Sequence, residues 1–311
     1  MQTWRYMLKR ILLAVISIFA IITITYFLMN LMPGDPFMSE KASEENRAIL
    51  IAKYGLDQPV YVQYGRYLEN LFHGDMGTSY VLQKGRAVKD IIAESFKVSM
   101  GLGVRALILA VICGIILGCI AGLCKDKLPD AVIRVLSSVG ISMPGYVIAS
   151  ALMMLLAVNL KILPVNYNKP GGWIMPMITL AIYPTSYLTR LTRASILEVM
   201  NQDYLRTERA KGMSEFVVVF IHALKNSLIP VITYLGPLTA SILTGGFVAE
   251  SVFSVPGLGR YFVSSISSRD YTMIMGVTIF YSSLIVIMNL VCDILYKIAD
   301  PRIQLDYRKK P

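Results

Sequence analysis

Apolar residues along this chain gather into long blocks rather than alternating with polar ones. Six blocks approach or exceed the ~20 residues with which an α-helix crosses some 30 Å of hydrocarbon. They are Ile11–Leu31, Met100–Leu123, Val132–Val158, Trp173–Leu191, Leu228–Val248 and Met273–Tyr296. Each is predicted as a transmembrane helix, so the expected fold class is all-α and polytopic. The first block follows Lys9 and Arg10 as a signal peptide would, but it is too long for an h-region. It ends at Asn30-Leu31-Met32-Pro33, which is no small-residue cleavage site. It is read as a retained span.

Two stretches between the blocks are long enough to have structure of their own. In Pro33–Ser99, Ser43 with Glu44 and Glu45 reads as a helix start and Gly55 as a stop. Asp57 reads as the cap of a second helix with Pro59 in its first turn, and Tyr61, Tyr64, Leu68, Leu71 and Phe72 recur there at helical spacing. That face either packs on the outer ends of the spans or offers a platform to an external partner. In Thr192–Lys225 a short amphipathic helix, a turn at Gly212 and a second helix from about Ser214 are expected. The stretch is longer than topology requires, and Phe216-Val217-Val218-Val219-Phe220-Ile221 is too apolar to lie uncovered in water. A protruding hairpin that docks into another protein accounts for it better than a solvated loop does.

Composition sharpens this picture. Hydrophobic residues make up 55% of the 311 and charged ones 16%, with a mean hydropathy of +0.57, which no soluble surface can accommodate. The net charge of +10 would invite a nucleic-acid reading were it not for its placement. With the N-terminus inside, the inner segments hold 17 of the 30 basic residues and 9 of the 20 acidic ones, +8 in all, leaving +2 outside. The charge is topological, following the positive-inside rule. No nucleic-acid partner is expected, and both termini are expected to be cytoplasmic.

Candidate chemistry is sparse. Cys113, Cys119, Cys124 and Cys292 lie in or at the ends of spans, where disulfides are not expected, and His73 and His222 cannot complete a metal cluster. No metal, cofactor or catalytic site is therefore expected. Ionisable groups near the bilayer midplane, which ion-coupled carriers require, are almost lacking: Arg105 is near an outer span end, and Glu250 and Asp293 are at span ends. There is no G-x-x-x-x-G-K-[ST] phosphate loop, so energy for any pump must come from elsewhere. Gly114, Gly118 and Gly122 put three bare patches on one helix face, for close packing within the chain or with another subunit. Prolines 144, 176, 184, 230 and 237 lie in or beside spans, where kinks can open a cavity.

These features meet a series of segments with a family pattern. They are Met32-Pro33-Gly34-Asp35-Pro36, Tyr54-Gly55-Leu56-Asp57-Gln58-Pro59 and Gly74-Asp75-Met76-Gly77-Thr78-Ser79. Then come Arg206-Thr207-Glu208-Arg209-Ala210-Lys211-Gly212 and His222-Ala223-Leu224-Lys225-Asn226-Ser227-Leu228-Ile229-Pro230. Last are Glu250-Ser251-Val252-Phe253, Pro256-Gly257-Leu258-Gly259-Arg260, Arg269-Asp270-Tyr271 and Asp300-Pro301-Arg302-Ile303. In this order, over nearly the whole chain, they resemble the membrane permease subunit of bacterial ABC importers for dipeptides, oligopeptides and, in some members, nickel.

The resemblance implies the type I ABC importer membrane fold with six transmembrane helices, in the bacterial plasma membrane. It also implies a second, homologous permease as heterodimer partner, two cytoplasmic ABC ATPase subunits and an extracytoplasmic substrate-binding protein. By the same resemblance, Arg206, Thr207, Glu208, Arg209, Ala210, Lys211, Gly212 and Met213 form the ATPase-coupling loop. The general importer version of that loop begins Glu-Ala-Ala, where this chain has Arg206-Thr207-Glu208, so the docking role carries over and individual contacts do not. The turn with Glu250, Phe253, Pro256, Gly257 and Gly259 is a candidate outer gate, or else a structural corner.

The expected division is residues 1–99 as first span plus external segment, 100–297 as transmembrane domain with its coupling loop at about 192–225, and 298–311 as a cytoplasmic tail. A nickel or other small-solute permease is the alternative within the family. A stand-alone ion-coupled carrier or channel is disfavoured by the scarcity of midplane charge and by the bulky inner loop.

Overall fold

The computed structural model describes residues 2–31, 49, 51–53 and 55–299. The expected helix start at Ser43–Glu45, the segments at Met32–Pro36 and Asp300–Ile303, and the tail from residue 300 lie outside the described residues. The chain is helical, with one isolated bridge, Thr78 to Ala87, among the described residues. The helices are α1 (Gln2–Leu31), α2 (Val60–Phe72), α3 (Val88–Leu123), α4 (Leu128–Ser142), α5 (Gly145–Asn159), α6 (Ile174–Met200), α7 (Asp203–Ala210), α8 (Glu215–Val252), α9 (Leu258–Ser268) and α10 (Tyr271–Ala299). Two of them contain π-helical turns, Met153–Asn159 in α5 and Val218–Ala223 in α8.

Among the described residues, four stretches are long and apolar enough to cross a membrane: Arg10–Leu31, Val88–Leu123, Glu215–Val252 and Tyr271–Val291. The third expected span needs correction, because Val132–Val158 is not one continuous helix. Helices α4 and α5 meet at 109°. Met143 is extended (φ −80°, ψ 129°) and Pro144 begins the new direction, since the proline ring disfavours helical geometry in the residue before it. The remaining block, Trp173–Leu191, begins at the N-cap of α6 and runs along that helix, whose polar residues keep it below the hydropathy of the others. Helix α6 continues through Met200, so the inner stretch expected from Thr192 opens with the end of α6, and its first short helix begins at Asp203.

The chain divides into two compact units. In the first, described residues of 1–100 join those of 254–287. Ile22, Tyr26 and Met29 of α1 pack with Tyr271, Ile274, Met275 and Ile279 of α10, and Tyr64, Leu68 and Leu71 of α2 lie against that core. The Tyr64 and Thr23 hydroxyls share a 2.6 Å hydrogen bond. The amphipathic face of α2 thus covers α1, while Tyr61 and Phe72 point away (73% and 85% exposed). Pro59, not Asp57, stands at the N-cap position of α2, which has no side-chain cap. Nearby, Val88, Ile91 and Ile92 of α3 pack on Leu258 of α9 and on Met273 and Val277 of α10.

The second unit joins 101–253 with described residues from 288 onward. Its core is Ala106 and Ala110 of α3, Ala181 and Leu188 of α6, and Val231, Leu238 and Ile242 of α8. The glycine stripe sets the spacing of α3 and α6. A Cβ at Gly114 would stand 2.6 Å from Leu188 Cβ, one at Gly122 would stand 2.9 Å from Ile196 Cγ2, and one at Gly118 would collide with Thr192. In this chain the stripe faces the chain's own α6.

Candidate functional site: the α7–α8 hairpin

The inner stretch after α6 folds as two helical arms around a tight turn. Helix α7 begins at Asp203, an acidic residue favourable to a helix N-terminus, and ends with Arg209 in its last turn. Gly212 follows at φ +78°, a left-handed conformation that costs a residue with a side chain about 1 kcal/mol or more. Ser214 then precedes α8.

Apolar contacts close the arms: Leu205 and Val218 are fully buried and pack with Ala223, Val199 and Met200. Polar contacts set their register. Arg209 donates to both carboxylate oxygens of Glu215, at 3.0 and 2.7 Å, and this neighbour pushes the guanidinium pKa further up. His222 Nδ1 lies 3.2 Å from Glu208 Oε1, and Asn226 donates to the Tyr204 hydroxyl at 2.8 Å.

This sorts the eight residues of the inner motif into two groups. Glu208 and Arg209 are partly buried and hold the hairpin together. Arg206, Thr207, Ala210, Lys211, Gly212 and Met213 are exposed, presenting a basic surface with a methionine at its edge. On the second arm Phe216 and Phe220 stack at 4.8 Å and are exposed, as is Ile221.

One contact anchoring the base of this hairpin is not evident in the sequence. Asp130, fully buried in the first turn of α4, accepts hydrogen bonds from Arg193 Nε at 2.6 Å and Nη2 at 2.8 Å, and from the amide of Asp126 at 3.0 Å. Arg134 lies 3.4 Å away. Arg193 stands on α6 two turns before the hairpin, so the pair ties the helix that carries the hairpin to α4. The signal available beforehand was Asp130 following Pro129, an ordinary helix start. Arg105 also finds a specific place, 4.9 Å over the Trp173 ring.

The residues of the candidate outer gate are placed as follows. Glu250 and Phe253 are buried near and just past the end of α8, and Ser254 is left-handed at φ +50°. Pro256 is half-buried, Gly257 caps α9, and Gly259 is buried in its first turn.

The family of binding-protein-dependent transport system inner membrane components matches residues 114–305, and the N-terminal membrane component of the same systems matches residues 3–102. The chain belongs to this family. It is 44% identical over 303 residues to the dipeptide transport system permease protein DppB of Bacillus subtilis, covering 97% of this chain and 98% of that protein. With the DppB protein of Lactococcus lactis it shares 40% over 307 residues, 97% and 99% of the two chains. The oligopeptide transport system permease protein OppB of Haemophilus influenzae is also 40% identical, over 309 residues, 96% and 99%.

As a member of this importer family the chain is a multi-pass membrane permease with the type I ABC permease fold. It is a non-catalytic transport subunit that works with ATPase and substrate-binding partners. Among the described residues no group of His, Cys, Asp and Glu could hold a metal ion.

Proposed function

We infer that this subunit forms half of the translocation path for peptides in an ATP-driven importer. Its likeness to dipeptide and oligopeptide permeases over at least 96% of the chain carries that reading. A distinct homologous permease supplies the other half, and two ATPases bind from the cytoplasm. The excess of Lys and Arg in the inner segments supports cytoplasmic termini. The two family matches, meeting between residues 102 and 114, support a boundary near residue 100 between the external segment and the transmembrane domain.

In this reading α7 is the coupling helix. Arg206, Thr207, Ala210, Lys211, Gly212 and Met213 face an ATPase groove, and Phe216 and Phe220 extend the contact. Closure of the ATPases draws two such hairpins together and tilts the permeases between inward- and outward-facing states. The corner from Glu250 to Gly259 serves as outer gate. The test is purification from the native membrane followed by uptake of labelled di- and pentapeptides in reconstituted vesicles. Co-purifying ATPase subunits and ATP-dependent uptake are expected; transport by the chain alone would refute the reading.

A further inference from the structure

The helix rotations reveal a face that hydropathy hides. Helix α6 lies against α3 at close backbone approach: Gly114 faces Thr185 and Leu188, and Gly118 faces Thr189 and Thr192. Because α3 is a strongly apolar span, this contact places residues 181–192 beside the second half of that span, and Arg190, which the charge count assigned to an inner segment, lies within its depth. The side of α6 towards the core carries Ala181, Pro184, Leu188 and Thr192, all buried. The other side carries Tyr183, Tyr187 and Arg190, spaced by four and three residues in one stripe. Tyr183 is 47% exposed, Tyr187 is partly exposed and Arg190 is exposed.

Other exposed helix faces in this chain look different. The exposed positions of α1 include Leu12, Val15, Ile16 and Phe19, and those of α3 include Val104, Ile108, Ile112 and Ile116. A guanidinium turned to hydrocarbon is costly, and intramembrane charges face water-filled cavities instead. Arg190 has no hydrogen-bond or ion-pair partner among the described residues. Beside it, the Tyr187 ring stacks on Tyr234 of α8, 4.3 Å between centroids and 26° between planes, making a broad aromatic platform.

We propose that Tyr183, Tyr187 and Arg190 of α6, with Tyr234 of α8, form this subunit's wall of the peptide path, with Arg190 taking the peptide's terminal carboxylate. The assignment rests on the peptide-importer reading. A free guanidinium suits a carboxylate in geometry and charge, and every unmodified linear peptide ends in one. The stacked phenols offer a flat amphipathic surface that accepts many side chains without selecting one.

The test is thiol accessibility in the complete transporter, with Cys113, Cys119, Cys124 and Cys292 replaced by serine. Single cysteines are introduced as Y183C, Y187C and R190C on the proposed wall and as I112C and I116C on the apolar face of α3. Because the thiolate is the reactive form and needs water, a charged methanethiosulfonate should modify the α6 positions at least about tenfold faster. Added dipeptide should slow that modification. Equal rates at the two sets, or labelling of α6 only by a lipid-soluble maleimide, would overturn the wall. Fast α6 labelling that dipeptide does not slow would overturn the peptide contact. Failure of the importer reading shows separately, as absent ATP-dependent uptake. R190K keeps the charge without the fork and should retain part of the uptake, while R190A loses it with the complex still assembled; equal uptake by both would remove the carboxylate role.

Discussion

The Ser79 hydroxyl donates to the Asp270 carboxylate at 2.5 Å across 191 residues of sequence. The same buried carboxylate accepts the backbone amides of Tyr80, Val81 and Leu82 at 3.0–3.1 Å, and its Oδ1 lies 3.2 Å from Thr272 Oγ1. Asp270 also precedes α10, where its Oδ1 lies 3.4 Å from the Met273 amide. One side chain therefore starts the last helix and clamps the turn that leads into α3. Thr272 adds a 2.6 Å bond to the Thr78 carbonyl.

Replacing Asp270 by asparagine keeps the size but turns an amide NH2 towards donors. Such a buried mismatch costs about 1–3 kcal/mol, and more when a charge-assisted acceptor is lost. D270N is expected to insert into the membrane yet leave the 75–87 turn more open to added protease. S79A removes one donor and should cost only ~1 kcal/mol, seen as a smaller loss of protease resistance. Equal resistance in wild type and D270N would contradict the clamp.

The glycine stripe predicts a ranking. A Cβ at Gly118 meets both Thr192 Cβ and the Thr189 carbonyl oxygen, and one at Gly114 meets Leu188 Cβ and the Thr185 carbonyl oxygen; at Gly122 the neighbours are side-chain atoms of Ile196. Backbone cannot yield as a side chain can, and overpacking costs roughly 1–3 kcal/mol. G118A and G114A should lower the thermal midpoint of the purified complex more than G122A does. The reverse order would contradict direct α3–α6 contact.

Legibility in the sequence follows the range of the interaction. The apolar blocks and the Gly212 turn are local, so composition and spacing reveal them. The break at Met143-Pro144 was marked by a visible proline, but a hydropathy window counts apolar residues and carries no direction, so the two arms read as one span. Helix α6 departs from the apolar norm because one of its faces is polar, and only its rotation against α3 shows which. Asp270 and Asp130 find partners 191 and 63 residues away. No local pattern distinguishes either from an ordinary helix-start aspartate. The recurring segments around Ser79 and Asp270 marked both ends of the clamp without indicating that they touch.

Gly212 separates folding from docking. Nothing lies within 4 Å of a Cβ built there, so a substitution is penalised through the backbone alone. G212N should fold, because asparagine tolerates left-handed geometry, whereas G212V adds strain and bulk. If this turn docks into the ATPase, G212V inserts normally and loses uptake, while G212N retains more of it. Uptake at the parental rate in G212V would remove the coupling role.

Asp130 and Arg193 provide the most demanding test, because the pair lies away from every exposed surface assigned to docking. Asp130 is fully buried, while Arg193 keeps 19% of its side chain exposed. Removing Arg193 leaves Asp130 facing only Arg134 and the Asp126 amide, so the variant should be less stable than wild type. R193K preserves the charge but cannot donate in a fork to both oxygens. Uptake should therefore fall in the order wild type, R193K, R193A. In the double variant D130N/R193Q no lone buried charge remains, so stability should exceed that of either single variant. If the pair also orients the hairpin, the double variant regains thermal stability without regaining uptake per ATP hydrolysed. Recovery of both together would make the pair a stability element alone, and that ratio in reconstituted vesicles decides between them.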